Sequence, residues 1–230
     1  MNQGGLLLSI RKLKAYDYKV YITGPFQAGK TTLIHSLDPN AISIERDMKE
    51  EYRGEKSTTT TGFDLGRVMW VRKELDHKGL AIPKKEYELE AAEYEGWIAK
   101  EIELRGVPGQ LHFKFVRDTM RSNSDGILMI VDSSDPGMIG DACAILSETQ
   151  IAFGTIPLVT IANKQDRDDA ILPEQVASWL GVPEAVGMSG HNRESCKDGL
   201  ILLLKMVESA YTVAPIDECI EAAVSQQQRI

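Results

Sequence analysis

Residues 16–31 read Tyr-Asp-Tyr-Lys-Val-Tyr-Ile-Thr-Gly-Pro-Phe-Gln-Ala-Gly-Lys-Thr. Tyr16 to Thr23 alternates and is rich in β-formers, so it predicts a strand. Gly24 to Gly29 predicts a tight turn. Residues 30–37 predict a helix that Asp38 and Pro39 stop. Within this strand–turn–helix frame, Gly24, Gly29, Lys30 and Thr31 match G-x-x-x-x-G-K-[ST], in the context the motif requires. Glycine lets the backbone curl until several N–H groups converge on one anion, and the helix N-terminus adds partial positive charge. Lys30 is placed to reach the β- and γ-phosphates of a nucleotide, and the Thr31 hydroxyl to ligate Mg²⁺.

Working outward, Phe63 to Val71 predicts a second strand, and residues 40–61 predict a loop ending in the polar run Ser57–Thr61. Gly126–Val131 (GILMIV) and Ile156–Ala162 (IPLVTIA) are continuous apolar runs, as expected of strands buried on both faces of a parallel sheet. Helices are expected at 138–152, 173–180 and 197–212, with a short strand near Ala185–Met188. Strands alternating with helices predict an α/β fold: a P-loop NTPase three-layer sandwich, with a mostly parallel six-stranded sheet and helices on both faces. Residues 72–99 break this rhythm. Their Tyr87, Leu89 and Ala91 alternate with glutamates as a strand would, yet their Glu, Lys and Ala content favours helix, and both readings stay open. They are expected to form an insertion between strands two and three.

A second motif chooses the base. Asn163-Lys164-Gln165-Asp166 follows the apolar strand 156–162. The Asp166 carboxylate can accept from N1–H and the 2-amino group of guanine, a donor pair that adenine lacks. Asn163 can bond the other edge of the base and tie the loop down, and the stem of Lys164 can cover the ring.

Composition narrows the rest. A chain of 230 residues suits one medium-sized domain. A net charge of −8 argues against nucleic-acid binding through a basic surface. Three widely spaced cysteines form no disulfide framework, so a reducing, cytoplasmic setting is expected. Residues 1–15 carry Leu6, Ile10 and Leu13 on one helical face and predict a short amphipathic segment. The expected organisation is this segment, a domain over 16–212, and a C-terminal helix or tail over 213–230.

With these residues in hand, the chain resembles a Ras-superfamily small GTPase, nearest the Arf and Arf-like branch, over most of residues 5–212. Leu8–Thr32 resembles an Arf-like leader, first strand and phosphate loop. Thr60-Thr61-Gly62-Phe63-Asp64 resembles the T-x-G-F-N end of switch I. Val131-Asp132-Ser133-Ser134-Asp135 resembles the VDSxD after the fourth strand, and Ala162–Gly181 the guanine loop with its following helix. Ser189-Gly190-His191 loosely resembles the last guanine-contacting loop. The resemblance implies a GTP/GDP switch with Mg²⁺, in which the γ-phosphate orders two loops and hydrolysis releases them. It implies nucleotide contacts from Gly24, Gln27, Ala28, Gly29, Lys30, Thr31, Thr32, Gly109, Asn163, Lys164, Asp166, Ser189 and Gly190. It implies metal ligation by Thr31 and Thr60, with Thr58, Thr59 and Thr61 as neighbouring alternatives in register. Gln110 would orient the attacking water, with Lys30 and Thr60 completing the catalytic set. Protein regulators and effectors are implied as partners, with roadblock- or longin-type proteins suggested by family analogy.

The chain also departs from that family. The third motif, D-x-x-G-Q, stands here as Gly106-Val107-Pro108-Gly109-Gln110, which resembles the MglA-type small GTPases. Without the aspartate the metal is expected to lose an outer anion, giving weak Mg²⁺ dependence and slow turnover. Phe26 stands where the Ras branch has glycine, which would crowd an arginine inserted by a partner. Asn2 gives no support for N-myristoylation and the C-terminus has no prenylation cysteine, so membrane contact through residues 5–14 is expected to be weak. The competing readings are a GTP-binding scaffold with negligible hydrolysis and a P-loop kinase for a small metabolite.

Overall fold

The computed structural model describes residues 16–47, 58–74, 78–108 and 121–213, with no side-chain description for 44–47, 58–62 and 212–213. The expected amphipathic segment 1–15, the tail beyond residue 213, Gly109 and Gln110 lie outside the described residues.

In chain order the elements are β1 (Tyr18–Thr23), α1 (Lys30–Leu37), β2 (Ile42–Asp47), β3 (Thr58–Arg72), β4 (Leu80–Pro83), α2 (Lys84–Leu89), β5 (Ile98–Gly106), β6 (Gly126–Asp132), α3 (Ile139–Phe153), β7 (Leu158–Asn163), α4 (Pro173–Leu180), β8 (Val186–Gly187) and α5 (Arg193–Val213). All strands join one sheet in the order β2-β3-β5-β1-β6-β7-β8, with β4 also on β3. The run β5-β1-β6-β7-β8 is parallel throughout. β3 is antiparallel to β5, β2 and β4. The architecture is thus the expected α/β layering around a mostly parallel sheet, but with eight strands among the described residues rather than six.

The two additional strands are β2 and β4. β2 lies inside the stretch expected to be a loop, and β3 starts at Thr58 rather than Phe63. The apolar content of β2 is low, and its strand form rests on backbone pairing of residues 42–47 with 58–65 across an intervening connection. Where the sequence left strand and helix open, around Tyr87, Leu89 and Ala91, the chain is helical, and a strand that the sequence reading did not place precedes it. Leu80–Pro83 pairs with Val68–Val71 of β3, and Lys84–Leu89 is helical. Lys84 then reaches Glu101 of β5 at 2.8 Å, so the insertion is tied to both strands flanking that edge.

β6 shows why a continuous apolar run folds as it does. Every residue of GILMIVD is buried. Leu128 and Ile130 join the core under α1 and α5, with Leu33, Ile34, Leu200, Leu203 and Leu204. Met129 and Val131 join the opposite core under α3 and α4, with Ile145, Leu146, Val176 and Leu180. Successive side chains point to opposite faces, so a strand covered on both sides needs apolar residues at every position. Each such side chain contributes about 1.5–3 kcal/mol when fully buried.

This topology also places the site. β1 has β5 on one side and β6 on the other, so chain progression reverses there. Ligand crevices of open α/β sheets form at such a point, beyond the carboxyl ends of the strands. The turns after β1, β7 and β8, and Val107–Pro108 after β5, lie on that edge. Among the described residues, no helix is long and apolar enough to cross a membrane.

Candidate nucleotide site

The turn after β1 has the backbone its glycines predict. Gly24 has φ 141°, Gln27 φ 58° and Gly29 φ 98°. A Cβ on Gly24 would lie 2.0 Å from the Ile130 carbonyl oxygen of β6, and one on Gly29 would lie 2.2 Å from Asn163 Nδ2. The loop is therefore pressed against β6 on one side and the β7 loop on the other. Gly29 caps α1, and Lys30 opens it. The buried Lys30 ammonium donates to Gly24 O at 2.9 Å and Pro25 O at 2.6 Å. The loop's own first carbonyls hold the charge over its mouth. Phe26 is half-buried at the loop.

The far end is organised by Asn163, which is 2% exposed. Its Nδ2 donates to Ala28 O at 2.8 Å, and its Oδ1 accepts from Gly190 N at 3.0 Å. One amide thus ties the phosphate loop to the loops after β7 and β8. The last loop is braced further: Ser36 Oγ donates to Gly190 O at 2.6 Å. The Cys196 thiol, whose pKa burial pushes up to about 11, donates to Ser189 O at 3.5 Å. Lys164 adopts φ 67° and pairs with the Asp132 carboxylate. Asp166 is exposed at the rim, and a hydrogen bond from the Ser189 side chain holds its carboxyl below the usual range.

Gln27, Gly29, Thr32, Asn163, Lys164, Asp166, Gly190 and His191 line one cleft of about 330 Å³. Residues from the two motifs, far apart in sequence, therefore face a common space. Replacing Asn163 by alanine would strand two backbone groups in that wall. Each costs about 1–3 kcal/mol, so Asn163→Ala is expected to lower the melting temperature by roughly 4–24 °C, read by thermal unfolding.

The third motif holds a feature that sequence reasoning missed. Gly106, at the end of β5, lies directly opposite Asp64 of β3. Asp64 is 1% exposed, and its Oδ2 accepts from Thr31 Oγ1 at 2.8 Å. A Cβ on Gly106 would come within 3.0 Å of both Asp64 Cβ and Oδ2, and within 2.5 Å of Ile34 Cδ1. A carboxylate does stand beside Thr31: the neighbouring strand puts it there, in space that only a glycine at 106 leaves open. The signal was present at the end of the T-x-G-F-N-like motif, where Asp64 replaces asparagine, but its partner is set by strand register.

Thr60 is placed differently from Thr31. Its backbone pairs with Glu45 in the β2–β3 ladder, four residues along the strand from Asp64. At about 3.3 Å per residue that is roughly 13 Å, so this conformation does not gather residue 60 beside Thr31.

No protein-family model matches the chain. It is 23% identical to the ADP-ribosylation factor-like protein 2 of Dictyostelium discoideum over 184 residues, covering 78% of this chain and 79% of that protein. That similarity and the sheet topology support a small GTP-binding protein of the broad Arf-like kind.

Proposed function

We propose that this chain binds GTP and GDP in the cleft between its phosphate loop and Asp166, and acts as a molecular switch with slow GTP hydrolysis. The carrying observation is the Asn163 side chain, which joins phosphate loop, base motif and last loop around that cleft. In this reading the N–H groups of residues 27–32 face the phosphates, Lys30 meets the β- and γ-oxygens, and Asp166 selects guanine. Ser189 and Gly190 close over the base beside Lys164.

The residues around Thr31 fit a divalent cation, since a buried carboxylate stands behind the hydroxyl that would ligate it. Bound Mg²⁺ would offset charge developing between the β- and γ-phosphates. Thr31 would hold it in both nucleotide states, and Thr60 in the triphosphate state alone. Residue 60 must then leave its pairing with Glu45, so the strand end is the moving part of the switch. Gly109 would donate its N–H to the γ-phosphate, and Gln110 would orient the attacking water. The signal would be read by protein regulators and effectors, roadblock- or longin-type among them, in the cytoplasm.

The test is the identity of the nucleotide that copurifies, by mass, followed by single-turnover hydrolysis in wild type and Gln110→Leu. A guanine nucleotide is expected. Hydrolysis is expected to be slow and to fall at least about tenfold in the variant, because a misplaced water forfeits that much. Equal affinity for adenosine and guanosine triphosphates would overturn the reading. Binding of GTP without measurable hydrolysis would assign the chain to the scaffold class instead.

A further inference from the structure

Asp64 is buried with only part of its hydrogen-bonding capacity used. One oxygen accepts from Thr31, while Oδ1, also buried, has no hydrogen-bond partner among the described residues. A carboxylate oxygen shut away from water without a donor is unfavourable unless a cation, or water held by one, supplies the contact. Asp64 lies beside the one hydroxyl in the phosphate motif suited to ligate a metal, and across from the glycine that replaces the family's metal-supporting aspartate.

We infer that Asp64 is the positioning carboxylate of the Mg²⁺ site: it orients the Thr31 hydroxyl through Oδ2 and offers Oδ1 to a metal-bound water. The inference rests on the nucleotide reading above and deepens it. Its consequence is a change of strand. The supporting carboxylate is carried by β3, continuous with residues 58–62, rather than by β5. The same-face positions two residues to either side of Asp64 are Gly62 and Gly66, which have no side chain to substitute. The site is therefore complete only in the register that sets Asp64 against Gly106, and a two-residue slide of β3 along β5 removes the carboxylate. Metal retention thereby favours this register.

The test uses full-length protein loaded with GDP: wild type, Asp64→Asn, and the exchange Asp64→Gly/Gly106→Asp. GDP release is followed across free Mg²⁺ concentrations and in EDTA, with thermal unfolding alongside. Asparagine keeps an acceptor for Thr31 but removes the charge. Asp64→Asn is expected to raise the Mg²⁺ concentration for half-maximal GDP retention about 10–100-fold. Its melting temperature in EDTA should be no lower than the wild type's, because the variant removes a buried carboxylate that lacks its cation, an outcome a purely structural role would not give. The exchange returns a carboxylate from the opposite strand, and recovery of Mg²⁺ retention there supports the assignment. Unchanged Mg²⁺ dependence in Asp64→Asn, or a folded exchange variant that stays as weak, overturns it. Wild type that binds GDP without any Mg²⁺ effect overturns this inference alone. Wild type that binds no GDP overturns the nucleotide reading beneath it.

Discussion

Asp166→Ala is expected to weaken GDP binding by about 10²–10⁴-fold while leaving ADP binding where it was. A carboxylate accepting from both N1–H and the 2-amino group makes two charge-assisted hydrogen bonds, each about 1.5–3 kcal/mol, and every 1.4 kcal/mol is tenfold. Inosine diphosphate lacks the 2-amino group and so should lose less, closing the gap between GDP and IDP in the variant. Competition binding with the three diphosphates measures this directly. Equal losses for GDP and IDP would show that the carboxylate does not meet the 2-amino edge. The pH dependence has a defined sign. The Ser189 hydrogen bond lowers the Asp166 pKa, so the charged acceptor persists through the ordinary carboxylate range. Guanine selectivity is therefore expected to hold down through that range and to fade only below it.

Gly24→Ala is expected to be the most damaging small substitution in the phosphate loop. The added methyl would sit 2.0 Å from Ile130 O, a backbone atom of a fully buried strand that has no rotamer to adopt. The residue also holds φ 141°, which an L side chain resists. Relief requires moving the loop off β6, at a cost of about 3–5 kcal/mol and a melting-temperature drop of roughly 6–20 °C. GDP retention should fall with it, because the phosphate-facing amides move together with the loop. Gly181→Ala separates the two causes. Gly181 is left-handed at φ 66° and ψ 31° but has nothing within 4 Å of the place its methyl would take, so only the backbone penalty of about 1–2 kcal/mol applies. Similar losses at both positions would refute the contact argument for Gly24.

The parts of this protein that the sequence by itself determined are those whose physics is local. The phosphate loop needs two glycines and a following helix start, all within residues 24–31. β6 and β7 are legible because burial on both faces demands apolar residues without interruption. Asp166 and Asn163 are adjacent to such a strand, and the tying role expected of Asn163 is seen in its bonds to Ala28 and Gly190. What only the tertiary structure decided are features created by pairing between distant segments. β2 has little hydrophobic signal of its own, and its strand form comes from its ladder with β3. The alternation of Tyr87, Leu89 and Ala91 imitated a strand, but the pairing with β3 fell to residues 80–83 and left 84–89 helical. Gly106 taken alone implied a missing anion, because sequence shows an absent side chain but not the neighbour that fills its space. Antiparallel register between β3 and β5 brings Asp64 into that space. Register depends on the packing of whole strands, so no local stretch of sequence contains it.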